Sequence, residues 1–582
     1  MSNIKIMSED LANKIAAGEV VERPANVVKE LVENSLDADA TVIEIELIHA
    51  GTKSIKIIDN GKGMDREDAS KAFLRHATSK IYRAEDLFFI SSLGFRGEAL
   101  PSIASIAKVI LKTSQGNIGT KIEIHGGKLI TEEAADARLG TMIEVADIFY
   151  NTPARLKYLK SEITELASTT NFIEKLALAY PKVAFSLMND DKVIIKTSGS
   201  GNLHKVIHEI YGLDISKNML EVKAHNHDFE ISGFISKPVI QKTNRNYLIT
   251  IVNGRVVKNN NLNKIINDAY HTYKPDGKYP VVVLVINTDP SLIDVNIHPT
   301  KQDIKFSKWE TLEDLVFSEF RNILKNSLLI PKVEVKEIKS DNEIKILEEK
   351  TEYQLSPNQN KLTEPEVIDS LTQVNFDFTS EETPKDIKSL ELYPCGLVFG
   401  TYIVAQNNEG MYLIDQHAAM ERVNYEKVLE AIANDQIIIT DLLLPITIEL
   451  TPSDYLLLKE HLNILTELGF SIEDFGINTV NIKSHPTWLI HGREEESIRK
   501  IIDLVISLPK KFDRLKFHDN VAATLACKLS VQGNTNITEE AMESILERLV
   551  LCDNPYNCPH GRPTIITFTK YELEKMFKRV MN

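Results

Sequence analysis

The sequence predicts a multidomain α/β (α+β) protein, and three observations carry that prediction. At 582 residues the chain is long enough for three or four domains. Helical and strand-like patterns alternate through residues 1–330. A glycine-free, charged stretch at 331–388 then separates that half from a second globular pattern running from Tyr393 to Asn582. Hydrophobic residues make up 43% and charged residues 26%, a balance that supplies full-sized cores.

Each element follows from local pattern. From Asn26 to Leu36, Val28, Leu31, Val32 and Ser35 fall on one helical stripe. Val42–Leu47 and Ser54–Ile58 read as strands beside it. These belong to a first domain at 1–204. A second domain at 205–330 has its clearest strands at Asn246–Val252 and Tyr279–Ile286, with a helix at Asn261–Tyr273 between them, which predicts a βαβ crossover. Residues 331–388 hold 14 acidic and 8 basic residues, a net of −6, and cannot bury enough apolar surface to offset ordering entropy. A flexible acidic linker is expected there; a loosely packed helical extension around Glu343–Lys350 is the alternative. In the last domain, 389–582, Tyr412–Ile414 predicts a strand, Ser453–Leu468 and Glu494–Ser507 predict helices, and 450–509 reads as an inserted regulatory subdomain. No internal repeat is evident.

The formal net charge of −16 argues against non-specific coating of nucleic acid. Four cysteines (Cys395, Cys527, Cys552 and Cys558) are too few for a disulfide framework in so long a chain. No run reaches the roughly 18 apolar residues a spanning helix requires, and the N-terminus has no apolar segment behind it. An intracellular protein with thiols free to bind metal is expected.

Two sets of residues carry candidate chemistry. In the first, Glu30 and Asn34 sit one turn apart on the predicted helix and share a face. A carboxylate there can deprotonate water, and an amide oxygen can ligate Mg²⁺. Asp59 ends a strand ahead of Gly61 and Gly63, where it can accept a hydrogen bond from an exocyclic amine. Thr78, Ser79 and Lys80 offer hydroxyls and an ammonium to phosphates, and Gly94, Arg96 and Gly97 form a second loop with a cation. Singly each fits an ordinary turn or surface; order and spacing favour a nucleotide site.

The second set lies in the C-terminal half. Asp415 ends a strand, His417 and Glu421 project together from the next helix, and Glu426 follows. Cys558 and His560 alternate in what reads as an extended stretch, and Cys527 offers another thiolate. Mixed N, O and S donors suit zinc, while the carboxylate-rich side suits Mn²⁺ or Mg²⁺. A closed, structural zinc site is the competing reading; the carboxylates favour an open centre able to cleave phosphodiesters. Cys552 reads as a buried core thiol.

The segments Asn13–Pro24, Lys29–Ala38 and Gly94–Leu100 resemble the GHKL ATPases and, among them, the MutL family of DNA mismatch-repair proteins. The likeness covers residues up to about 330 and again from about 390 to the end. It implies a GHKL (Bergerat) ATPase sandwich, a transducer-like second domain, and a C-terminal dimerisation and endonuclease domain. It implies Glu30 as the general base, Asn34 as the Mg²⁺ ligand and Asp59 as the adenine reader, with Thr141 supporting the adenine pocket. Loops at Thr78–Lys80 and Gly94–Gly97 would close over the phosphates, and Lys301 would reach the γ-phosphate from the second domain. ATP would then act as a slow switch that builds an N-terminal dimer face. The pattern Asp415 to Glu426, the run Cys558–Pro563 and the terminal Phe577-Lys578-Arg579 are similar to the endonuclease motifs of nicking members, with Ser530 and Gln532 departing from the usual residues. Asp415, His417, Glu421, Cys527, Cys558 and His560 are thereby implied as ligands of Zn²⁺ and/or Mn²⁺, with Asp415 and Glu421 catalytic.

The resemblance implies a cytoplasmic bacterial homodimer, nucleoid-associated when acting. Its implied partners are DNA, a mismatch-recognition protein of the MutS type and a helicase. Thr440–Pro445 is similar to a segment that touches the sliding clamp, although Thr440 stands where Gln is usual and an edge strand explains the leucines equally well. Arg155, Lys157 and Lys160 form a basic run that tracks phosphates or lies on a solvated loop. The competing classes are a matchmaker without nuclease activity and another GHKL machine; neither a topoisomerase tyrosine with an acidic metal domain nor a phosphoacceptor helix is found.

Overall fold

The computed structural model describes residues 18, 20–81, 83, 92–94, 97–274, 277–294, 304–328, 391–433, 437–489, 491–508, 513–529, 537–577 and 579. The expected linker, together with Arg96 and Lys301, lies outside the described residues.

Helix α1 (Pro24–Asp37) starts on a proline, whose fixed φ suits a first helical turn. Its stripe is the predicted one: Val28, Leu31, Val32 and Ser35 are all buried. It lies with α2 (Ala99–Ile106) and α3 (Glu162–Ala179) over an eight-stranded sheet. The strands are β1 (Val42–Ile48), β2 (Ser54–Asp59), β3 (Lys108–Ser114), β4 (Gly119–His125), β5 (Lys128–Ala135), β6 (Gly140–Ala146), β7 (Ala184–Asn189) and β8 (Lys192–Lys196), in the order β5-β4-β3-β6-β2-β1-β7-β8. Only β1 and β7 among these pairs run parallel. Ile43, Ile45, Ile55 and Ile57 fill the interior beneath α1, each such burial contributing about 1.5–3 kcal/mol. The expected α/β sandwich is therefore present.

Helix α4 (Leu203–Ser216) leads into a second sheet of β9 (Met219–His225), β10 (Phe229–Ser236), β11 (Leu248–Val252), β12 (Arg255–Val257) and β13 (Val282–Thr288). β11 and β13 run parallel with α5 (Asn260–Ala269) between them, the predicted crossover, with the short β12 hairpin added at its start. The short strands β14 (Ile293–Asp294) and β15 (Lys305–Phe306) pair antiparallel ahead of helix α6 (Trp309–Leu328), which closes that core through Leu312, Val316, Phe320 and Leu324.

The C-terminal half is one antiparallel sheet with a second unit inserted. β16 (Tyr393–Val398), β17 (Tyr402–Gln406) and β18 (Gly410–Asp415) lead into α7 (Gln416–Ala433). The chain then departs through β19 (Ile439–Glu449), α8 (Pro452–Glu460), α9 (Leu462–Glu467), β20 (Ser471–Asp474), β21 (Thr479–Pro486) and α10 (Glu494–Ile506), which share one core. It returns through α11 (Arg514–Leu529) and α12 (Glu539–Leu551) to β22 (Ile565–Thr569), which pairs with β18. β19 pairs with β21, so the inserted unit includes it. The helix expected across Ser453–Leu468 is two helices broken at His461, because Leu468 and Phe470 turn back to seal the same core.

Candidate functional site

The N-terminal site is built on the junction of α1, β2 and β6. Asp59 is buried and its carboxylate is held in place by three donors. Ser35 Oγ donates to Oδ2 at 2.7 Å; Gly61 N and Thr141 N donate to Oδ1 at 2.9 and 3.2 Å. A carboxylate has about four lone-pair sites, so one acceptor position remains for a ligand amine. Thr141, the expected pocket residue, also shares a hydrogen bond with Thr113 at 3.0 Å. Glycine is required beside it at two points. At Gly63 (φ +66°) a Cβ would lie 2.0 Å from the Ser114 carbonyl oxygen, and at Gly140 (φ +109°) 2.1 Å from that of Asp59.

Glu30 and Asn34 share the half-buried face of α1. Lys80 Nζ donates to Asn34 Oδ1 at 3.1 Å and to Asp37 Oδ2 at 2.5 Å. The amide oxygen of Asn34 thus accepts from a cation that the Asp37 carboxylate also holds. Asp37, given no role from sequence, is the anchor of this arrangement. Its two oxygens also accept from the backbone N–H of Leu93 and Gly94 at 2.8 and 3.0 Å, tying the second loop to the helix. Gly97 lies at φ +63° with its carbonyl accepting from His76 N at 3.1 Å, so the Thr78–Lys80 loop and the Gly94–Gly97 loop meet. Arg255 was also missed: buried on β12, its guanidinium donates to the carbonyls of Ser92 and Leu93, linking the second domain to the same loop. The clue to Asp37 is its position, one turn beyond Asn34 on the same face. Lys157 and Lys160 are exposed, whereas Arg155 is half-buried over the Phe149 ring at 6.0 Å, so the basic run is split.

The C-terminal site joins α7 to a turn more than a hundred residues later. Glu421, Cys558 and His560 place ligand atoms within 4.8 Å of one another. Glu421 is buried; His417 Nε2 lies 3.4 Å from its Oε1 and His560 Nδ1 3.2 Å from its Oε2. Cys558 is buried too, and burial foremost pushes its thiol up, with the Glu421 carboxylate adding to the effect. A divalent cation among these atoms would favour the thiolate and offset the Glu421 charge, so the donor set fits a metal. Asp415 stands outside this group of three: its Oδ1 accepts from His417 N at 2.9 Å and Ala418 N at 3.0 Å, capping α7. The Cys527 side chain lies outside the described residues.

The extended stretch expected at Cys558–His560 is instead a β-turn. Gly561 N donates to Cys558 O at 2.9 Å, with Pro559 second and Gly561 at φ +83°. The proline's fixed φ and the following glycine bend the chain, and the turn, not strand alternation, brings both side chains to Glu421. The turn is held from α7: Arg422 Nε donates to Asn557 O at 2.6 Å, and the Glu426 oxygens accept from Asp553 N and Asn554 N at 2.7 and 3.2 Å. Cys552 is buried as expected, its thiol pushed up to about 12 by burial first and then by Glu426.

Three family models match the chain. Residues 22–146 match the histidine kinase-, DNA gyrase B- and HSP90-like ATPase family, residues 207–325 the DNA mismatch repair protein C-terminal domain, and residues 395–537 the MutL C-terminal dimerisation domain. The DNA mismatch repair protein MutL of Listeria monocytogenes serovar 1/2a is 44% identical over 595 residues, covering 99% of each chain. The protein of the same description from Geobacillus sp. (strain WCH70) is 42% identical over 620 residues, covering 100% of each. Among solved structures, the Aquifex aeolicus MutL ATPase domain complexed with ADP aligns at 29% identity over 47% of this chain and 94% of its own, with a TM-score of 0.36. ATP binding and hydrolysis at the N-terminal site and homodimerisation through the C-terminal domain accord with these matches, and no described helix is long and apolar enough to cross a membrane. The chain belongs to the MutL family of DNA mismatch-repair proteins.

Proposed function

We propose that this chain is an ATP-gated, homodimeric nicking endonuclease of mismatch repair. One observation carries the nuclease reading: a carboxylate, a thiol and an imidazole from two distant segments converge within 4.8 Å. Zinc or manganese bound there would supply water activation and charge stabilisation at a scissile phosphate. Glu421, Cys558 and His560 would hold it, with His417 beside Glu421, and Asp415 and Cys527 completing the ligand set. Asp415 orients the first turn of α7 and with it His417.

At the other end, Glu30 removes a proton from the attacking water, Asn34 would hold Mg²⁺, which would neutralise phosphate charge, and Asp59 takes the adenine amine. Gly61, Gly63 and Thr141 shape that pocket. Thr78, Ser79, Lys80, Gly94, Arg96 and Gly97 form the phosphate lid, and Lys301 contacts the terminal phosphate. Hydrolysis is slow and works as a timer. DNA, a MutS-type recognition protein and a helicase are the partners, and the work is done in the cytoplasm on the nucleoid.

A sliding clamp is a further partner. The register of β19 with β21 breaks between Asp441 and Ile446, and Leu443 (102% exposed) and Leu444 (82%) stand out from the edge of the sheet. Two leucines held away from their own sheet support docking into a partner's apolar pocket.

The matchmaker reading is favoured by one feature, the burial of Glu421 and Cys558, which suits a structural metal. Incubation of the full chain with supercoiled plasmid and Mn²⁺ separates the two. Nicking that is lost in Glu421→Gln and Asp415→Asn is expected; no nicking at any metal concentration leaves the matchmaker.

A further inference from the structure

The inserted unit lies against the N-terminal half, across the joint of its two domains. At one end Glu460 on α8 accepts from Ser161 Oγ at 2.6 Å and Thr164 Oγ1 at 2.9 Å. In the middle, Glu174 on α3 accepts from Ser453 N at 2.9 Å and from Ser453 Oγ at 2.8 Å, and Leu456 packs on the first-domain core. Asp454 accepts from the buried Tyr247 hydroxyl of the second domain, and Asp503 on α10 pairs with Lys242 at 3.7 Å. At the far end Arg499 pairs with Asp214 at 2.9 Å, and Glu449 accepts from Leu213 N at 3.0 Å. Gly212, at φ +79°, leaves room for that carboxylate: a Cβ would lie 2.3 Å from it.

The two domains so bridged also share one hydrophobic core, which takes in Leu176 and Phe185 of the first and Tyr247, Ile249 and Val283 of the second. A cavity of about 440 Å³ lies between the domains; Arg23, Lys29, Lys175, Arg245, Arg255 and Lys258 line it, with the Glu33 carboxylate among them. Burial and then Lys258 lower the Lys175 ammonium to about 8, a sign of cations crowded together. The acidic side chains of the insert meet the outer side of the same elements. Arg255, on the cavity wall, grips the loop carbonyls at Ser92 and Leu93. The position of the joint is therefore transmitted to the nucleotide loop.

We infer that the inserted subdomain is an intramolecular brace: docked across both N-terminal domains, it fixes the joint, and through Arg255 the loop at Ser92–Gly94, and so restrains ATP turnover until released. The buried acids make release sensitive to pH. Burial foremost raises Glu174 from 4.5 to about 8; Asp454 adds to this, while Ser453 and Lys175 oppose it, and Tyr211 faces it from α4. Burial foremost raises Asp454 and Asp503 as well, and Asp503 adds to the rise at Asp454, while Lys242, Tyr247, Lys278 and Arg499 oppose it. A raised carboxyl means that the docked state takes up protons. Docking is strongest at low pH and weakens as pH rises from 4.5 towards about 8.

The test uses the full chain carrying Ser453→Glu, which sets a second carboxylate against Glu174, and the milder Glu460→Ala. Hydrogen exchange is read at residues 161–175 and 449–460, with β19–β21 as the check that the insert stays folded, and ATP hydrolysis is read in parallel. Faster exchange on both faces with several-fold higher turnover is expected, larger for Ser453→Glu. Glu174→Gln should keep the contact and flatten the fall in docking between pH 5 and 8. Unchanged exchange would show that the contact does not form in solution; faster exchange with unchanged turnover would remove the restraint. The inference rests on ATP turnover at the Glu30–Asp59 site, and a wild-type chain that hydrolyses no ATP would sink that reading instead.

Discussion

The nucleotide site and the metal site solve the same problem, placing polar groups on a fixed frame, in opposite ways. The first is assembled from residues close in sequence. Glu30, Asn34 and Asp37 follow one another along α1, and Asp59 ends the strand packed under it. The loop at Ser92–Gly94 is tied to it by hydrogen bonds to Asp37 and Arg255. The second joins α7 to a turn across more than a hundred residues, with Arg422 and Glu426 holding that turn through its backbone. The loop of the first site is pinned by Asp37 of one domain and Arg255 of the other; the turn of the second is held by two residues of a single helix. The difference is one of preorganisation.

Breaking the chemistry of the first site should give the largest effect. Glu30→Ala should lower ATP hydrolysis by ~10²–10⁴-fold while nucleotide binding, measured by equilibrium titration, stays close to wild type. Normal turnover in that variant would overturn the assignment of the base. Next comes the frame itself. Gly140→Ala drives a Cβ into the Asp59 carbonyl at a left-handed φ and should cost roughly 2–5 kcal/mol in urea unfolding of the ATPase domain, with nucleotide binding lost. A smaller effect is expected at the loop. Asp37→Asn weakens the contacts to Lys80, Leu93 and Gly94 and should release about 1–3 kcal/mol of loop ordering, read as faster hydrogen exchange at residues 92–94. The smallest falls on the clamped site. Gly561→Ala meets nothing within 4 Å, so only its positive φ is penalised, at about 1 kcal/mol, and metal affinity should barely move. A large loss of metal there would show that the turn is less firmly held than Arg422 and Glu426 suggest.

Much of this was legible from the residues because the determinants were local. The stripe Val28, Leu31, Val32 and Ser35 named the buried face of α1, and the parallel pairing of β11 with β13 followed from strand, helix and strand in succession. The Cys558–His560 segment was misread as extended because alternate spacing was given more weight than Pro559 and Gly561, which force the turn. Asp37 and Arg255 stayed hidden because their roles exist only once a loop has been laid against them. The brace was invisible for the same reason. Glu174, Ser453 and Glu460 carry no local signal of their contacts, and nothing local says that α3 and α8 meet.

The claim on which the metal half depends is that Cys558, His560 and Glu421 bind one cation together. Cobalt(II) titration of the metal-stripped full chain tests it most directly, since thiolate coordination gives a charge-transfer band that carboxylates and imidazoles alone do not. That band is expected in the wild type and in Glu30→Ala, and its loss in Cys558→Ser. A titration with no such band, or one unchanged by Cys558→Ser, would contradict it.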